Sequence, residues 1–136
     1  VFKAVALLTR KPGTSRAEFM AYYGSTHARL IRELHPQIRA YRRNFLQHES
    51  VLGSPTAPVP DFDVVTEIYF DDRAGFDQMI ADSAGTEVGR AIAADEDRFA
   101  DRSRTRMYVV DVQEDTDGHG DTDGRGGTDV PADTDA

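Results

Sequence analysis

Apolar and polar positions along this chain change their period several times, and each change marks an element. Phe2 to Thr9 is short and apolar and ends at Lys11-Pro12-Gly13, the pattern of a strand followed by a turn. From Ser15 to Leu34 the period lengthens. Met20, Tyr23, His27, Ile31 and Leu34 recur at steps of three or four, and Ser15 with Glu18 matches a capping box, so the spacing predicts an amphipathic helix. Pro36 stops it, and Ile38 to His48 alternates as a second strand. The proline-rich stretch from Ser50 to Pro60 reads as a loop. Phe62 to Phe70 forms a third strand, with Phe62, Val64, Ile68 and Phe70 on one face and Asp63, Val65, Glu67 and Tyr69 on the other. Asp71 or Asp72 caps a helix through Ser83, and Thr86 caps its continuation to Asp101. Arg106 to Val112 supplies the last strand.

The order β-α-β-β-α-β is that of a ferredoxin-like α+β sandwich, a four-stranded antiparallel sheet with helices on one face. The other face carries Val, Leu and Tyr and needs a cover. A second copy of the same sheet is the simplest one, so the expectation is a homodimer in which two sheets face each other as a dimeric α/β barrel.

At 136 residues the chain is one folded domain. Its net charge of -8 divides unevenly: residues 114–136 hold eight acidic side chains against Arg125 alone, whereas residues 1–113 are nearly balanced. The folded part, residues 1–113, therefore gives no support to nucleic-acid binding. The stretch 114–136 is rich in Gly, Asp and Thr and poor in aliphatic residues, so a disordered acidic tail is expected there. Its D-x-D-G pieces resemble calcium-loop fragments, but a loop begun at Asp115 meets Gly126 where the bidentate glutamate belongs. Absence of cysteine removes disulfides and thiolate chemistry, and no metal-ligand spacing such as HxxxH, HxH or HExxH occurs. No apolar run reaches the roughly 20 residues of a membrane span. With no leader pattern in the opening residues, a cytoplasmic location without membrane partners is the expectation.

His27 is the first candidate for chemistry. An imidazole on an apolar helix face needs partners for both ring nitrogens, so it is either tied down structurally or held ready for proton transfer. On the second helical stretch Asp95 lies on the inward stripe with Val88, Ile92 and Phe99, and a carboxylate beside an imidazole orients a base. Capping of a backbone group by Asp95, or its pairing with Arg98 on the surface, is the alternative. Tyr41 and Arg43 project from one side of the second strand, and with Glu67 and Tyr69 they can supply donors and acceptors to a cavity; ordinary cross-strand pairing at the dimer sheet is the competing account. His35 and His48 read as solvent-exposed.

The segments LLTRKPGTSRAEFMAYYGSTHARLIREL, IRAYRRNFL, PDFDVVTEIYFDDRAGFDQM and AADEDRFAD resemble the EthD family of the dimeric α/β barrel superfamily. The likeness runs from about residue 2 to residue 112, and its distinctive pieces are F-x-x-Y-(x)-x-x-x-H in the first helix and D-x-x-x-F in the second. The resemblance implies functional roles for His27, Tyr41 and Asp95. It also departs from the family at Tyr23, where relatives often carry tryptophan, a change that bears on how a substrate fits. Members of the family and of related barrels include dehydratases and decarboxylases of aromatic polyketide assembly, lactone isomerases, cyclases and cofactor-free monooxygenases. The implied activity is cofactor-independent acid-base chemistry on a small, apolar, oxygenated ring compound, with dehydration or cyclisation and aromatisation as the outcome. His27 would act as base, Tyr41 would bind the enolate oxygen, Asp95 would orient His27, and Tyr23, Arg43, Glu67 and Tyr69 would contact substrate. A non-catalytic barrel that binds a hydrophobic ligand is the alternative from another class.

Overall fold

The computed structural model describes residues 1–49 and 52–116. Of the tail expected at 114–136, residues 117–136 lie outside the described residues, as do two residues of the proline-rich loop. Strands β1 (Phe2–Leu8), β2 (Ile38–Phe45), β3 (Val64–Phe70) and β4 (Arg106–Val109) form one sheet in the order β2-β3-β1-β4. All three pairings are antiparallel. Helices α1 (Arg16–Tyr22), α2 (Ala28–Leu34), α3 (Arg73–Ser83) and α4 (Glu87–Glu96) complete the ferredoxin-like α+β fold.

Alternation decides which sheet face meets the helices. Along β3, Val64, Thr66, Ile68 and Phe70 are buried while Val65, Glu67 and Tyr69 stay half-exposed. Ala4, Ala6 and Leu8 of β1 join the buried set. Tyr23, Phe19, Phe70 and Phe99 are the largest side chains wholly enclosed between sheet and helices, with Phe19 and Phe99 at 5.5 Å between ring centres. Full burial of such rings stabilises by roughly 1.5–3 kcal/mol each.

The first helical segment begins as its sequence predicts. Glu18 N–H donates to Ser15 Oγ at 3.1 Å, and Ser15 N–H donates to Glu18 Oε1 at 2.9 Å. It is not one continuous α-helix to Leu34, however. Between α1 and α2, Tyr23–His27 form a π-helical turn closed by Ala28 N–H on the Tyr23 carbonyl.

Other boundaries differ for identifiable reasons. Helix α4 stops at Glu96, short of Asp101, because tight turns donate Arg98 N–H to the Asp95 carbonyl and Phe99 N–H to that of Glu96. That turn swings Phe99 into the core. Strand β4 ends at Val109, short of Val112: Val109 faces Ala4, and beyond it only Val110 N–H reaches β1, at Lys3 O over a long 3.3 Å. Strand β2 ends at Phe45, with Leu46 N–H still bound to Asp63 O, and β3 begins at Val64, two residues after Phe62.

One irregularity moves residues between faces. Ile38 pairs with Phe70 but Ala40 pairs with Tyr69, so two β2 residues span one on β3, a β-bulge at Arg39. Uninterrupted alternation from Ile38 would set Tyr41 opposite Glu67. The bulge slips the phase by one, and Tyr41 and Arg43 instead lie opposite Ile68 and Thr66, on the helix side.

Candidate functional site

The π turn and α4 build the centre of the site. His27 is 3% exposed, and its Nδ1 lies 2.8 Å from Asp95 Oδ2. A carboxylate can only accept, so Nδ1 carries the proton and Nε2 presents a lone pair. Nε2 has no hydrogen-bond partner among the described residues, so it is the ring nitrogen left free to exchange a proton. Phe99 packs against the ring at 4.8 Å and Tyr23 at 5.6 Å between centres, holding it in place.

Tyr22 is a member of this centre that sequence periodicity does not reveal. Its hydroxyl donates to Asp95 Oδ1 at 2.6 Å, so each carboxylate oxygen has one donor. Burial raises the Tyr22 phenol above its ordinary value and the Asp95 contact adds to the shift, which keeps the proton on the phenol. On a regular α-helix, residues five apart stand about 140° apart around the axis. A π turn bonds residues five apart, and this brings Tyr22 and His27 to the same carboxylate.

A chain of hydroxyls runs beside it. Tyr23 Oη is 2.7 Å from Thr66 Oγ1 and 3.0 Å from Tyr41 Oη. Burial, and next the neighbouring Tyr23, push the Tyr41 phenol well above its usual range, with the Arg43 guanidinium opposing in part. Tyr23 is likewise raised by burial. Both phenols stay protonated at neutral pH and remain donors. The Arg43 guanidinium carbon lies 5.7 Å from the Tyr23 ring centre and 5.5 Å from that of Tyr41.

His27, Asp95, Tyr23, Tyr41 and Arg43 thus share the helix side of the sheet, whereas Glu67 and Tyr69 do not join them. These two belong to the outer face, and the bulge at Arg39 is what separates them from Tyr41 and Arg43. Glu67 accepts from Lys3 Nζ at 2.8 Å and lies 3.5 Å from Arg42 Nη1. Lys3 and Arg42 also cover the Tyr69 ring at 5.3 and 5.8 Å. This is the cross-strand pairing that the sequence left open. Asp95 pairs inward rather than with Arg98.

The expectation of exposed histidines fails at His35, which is 3% exposed with Nε2 at 3.1 Å from Ser83 Oγ of α3. His48 is half-buried against Asp63 at 3.0 Å. Among the described residues no cluster of three or more His, Cys, Asp or Glu fits a metal ion, and no helix is long and apolar enough to cross a membrane.

The sequence profile of the EthD domain matches residues 11–103. The chain belongs to the EthD family. The matched span contains His27, Tyr41, Arg43 and Asp95, so the whole centre lies within the EthD domain. A conidial pigment biosynthesis dehydratase named EthD, from Metarhizium robertsii, is 28% identical over 108 residues, 74% of each chain. Among solved structures, an EthD family protein from Bacillus halodurans matches with a TM-score of 0.55 at 23% identity, over 83% of this chain and 100% of its own. SnoaB of Streptomyces nogalater, a cofactor-independent oxygenase, matches with a TM-score of 0.50 at 14% identity, over 84% and 94%. At such identities both solved structures speak to the fold of this EthD domain alone.

Proposed function

We propose that this EthD domain is an acid-base enzyme that dehydrates, or cyclises and aromatises, a small polyketide-derived or aromatic ring compound. The observation that carries the reading is the 2.8 Å contact between His27 Nδ1 and Asp95, which leaves Nε2 unengaged among the described residues. The relative named as a pigment dehydratase supports it.

In this reading Nε2 removes a proton alpha to a ring carbonyl, and Asp95 stabilises the imidazolium that forms. Tyr41 donates to the enolate oxygen. Collapse of the enolate forms the new double bond and expels the beta hydroxyl, which takes the proton back from Nε2 and leaves as water. Protons balance within the step, so it calls for no cofactor.

His27→Ala should lower turnover by about 10²- to 10⁴-fold while leaving the circular dichroism spectrum and melting curve of a folded protein. The assay is loss of water, read by mass, across a panel of hydroxylated ring ketones. Turnover equal to wild type in the variant removes the assignment. A purely ligand-holding barrel would instead keep affinity, gain stability from the substitution and show no turnover in either form.

Pairing of two copies through the outer sheet face belongs to the same proposal. Val5 and Leu7 lie on that face, and Tyr108, 53% exposed, is opposite Val5. Leu7→Asp should halve the mass seen by light scattering, and a wild-type protein that is monomeric at all concentrations would overturn the pairing.

A further inference from the structure

Arg43 has no carboxylate bonded to its guanidinium among the described residues. Three arginines among the described residues are half-buried: Arg42, Arg43 and Arg106. Arg42 meets Glu67 at 3.5 Å and Arg106 meets Asp61 at 2.9 Å. Arg43 meets no carboxylate among the described residues. Its one hydrogen bond is a long 3.5 Å contact from Nη1 to the carbonyl of Tyr41. Glu96 acts electrostatically on Tyr23 and Tyr41, but its oxygens are bonded to Thr105 at 2.8 Å and Arg102 at 3.4 Å.

A guanidinium has five donors in a planar fork and keeps its charge at every accessible pH. Here the fork is braced over two tyrosine rings, next to the Tyr41 hydroxyl and across the strand pair from Thr66. Asp95, by contrast, is fully engaged by His27 and Tyr22. The region thus presents a positive, donor-rich side and a basic nitrogen, and among the described residues no carboxylate is bonded to the cation.

We propose that Arg43 docks a carboxylate on the substrate, so that the ring compound this enzyme takes is an aromatic or cyclic acid. The inference rests on the acid-base reading for its substrate, and it adds the charge. A carboxylate matches the fork geometrically and neutralises a cation that is costly to leave half-desolvated. Tyr41 lies two residues away on the same face, so an acid held by Arg43 brings its ring to that hydroxyl.

Calorimetric titration of the full chain with naphthoate and with naphthamide, equal in shape and different in charge, tests this directly. A charged hydrogen bond contributes about 1.5–3 kcal/mol, so naphthoate should bind about tenfold to a hundredfold more tightly. Arg43→Gln should erase that preference while naphthamide affinity persists. Arg43→Lys should keep a reduced preference, which separates loss of charge from loss of fold. His27→Ala should keep the full preference, because docking precedes proton transfer. Equal binding of the two probes by wild type, an undiminished preference in Arg43→Gln, or no binding of either probe overturns the proposal. The outcomes separate from those of the acid-base reading: turnover by His27→Ala would remove that reading and leave the charge preference standing, and the reverse holds equally.

Discussion

His27 and His35 sit on one helical rod, both almost wholly enclosed, and their surroundings differ in every respect that matters to chemistry. His27 has a carboxylate on Nδ1, aromatic rings against its faces and an Nε2 with no partner among the described residues. His35 has a serine hydroxyl on Nε2 and a sealed Nδ1 with no partner. Burial lowers the His35 pKa below its ordinary value, with Asp82 only partly opposing. Burial alone therefore makes a neutral packing group. A charge partner and one open nitrogen make a group able to take a proton and give it back.

The strongest way to break this contrast is to remove the partner of one histidine and then that of the other. Asp95→Asn preserves size but loses the negative charge facing the imidazolium, and turnover should fall by about 10²- to 10⁴-fold with the fold intact. Ser83→Ala, the matching change at His35, should leave turnover at the wild-type level. Equal losses in the two variants, measured as kcat on folded protein, would mean that burial and not the carboxylate is what distinguishes His27.

A smaller effect is expected one step further out. Tyr22→Phe removes one donor from Asp95 and leaves the His27 contact in place, so the freed carboxylate pulls harder on the Nδ1 proton. Turnover should drop by about tenfold or less, on the scale of one hydrogen bond to a charged group, with KM unchanged. A merely structural tyrosine would lower melting temperature and leave kcat per folded molecule at the wild-type level.

Much of this arrangement is legible in the residues themselves. Ser15 and Glu18 announce the helix start, alternation in Phe62 to Phe70 separates the two faces of β3, and the shared stripe of Asp95, Ile92 and Phe99 turns the carboxylate inward. What stays hidden depends on slips of one residue. The π turn that brings Tyr22 to Asp95 leaves no mark in a pattern of threes and fours, because Tyr23, His27 and Ile31 suit a plain α-helix equally well. The bulge at Arg39 is equally silent, yet it decides that Tyr41 and Arg43 join the helix side while Glu67 and Tyr69 remain on the outer face. Local periodicity cannot register either insertion, since both are chosen by how helix and strand pack on their neighbours. His35 misleads for a related reason. Beside Pro36 at a helix end it looks exposed, and only the arrival of α3 with Ser83 covers it.

The mildest consequence of the contrast lies in stability rather than rate. In the folded protein His35 resists protonation because burial disfavours its charged form, whereas in the unfolded chain it takes a proton near the ordinary value of about 6.5. Between the lowered folded value and about 6.5 the unfolded state binds more protons, so stability rises with pH in that window. The contribution is complete above about 6.5, and it is lost as pH falls through that value toward the folded one. His35→Gln keeps a side chain that can reach Ser83 but does not titrate. Urea melts of wild type and His35→Gln, compared at about pH 7.5 and about pH 5, should show the wild-type midpoint falling more on acidification than the variant's, at unchanged slope. Turnover per folded molecule should be the same in both proteins at each pH. Parallel acid losses in the two melts would mean that His35 is not the neutral buried partner of the pair, and the distinction from His27 would then rest on Asp95 alone.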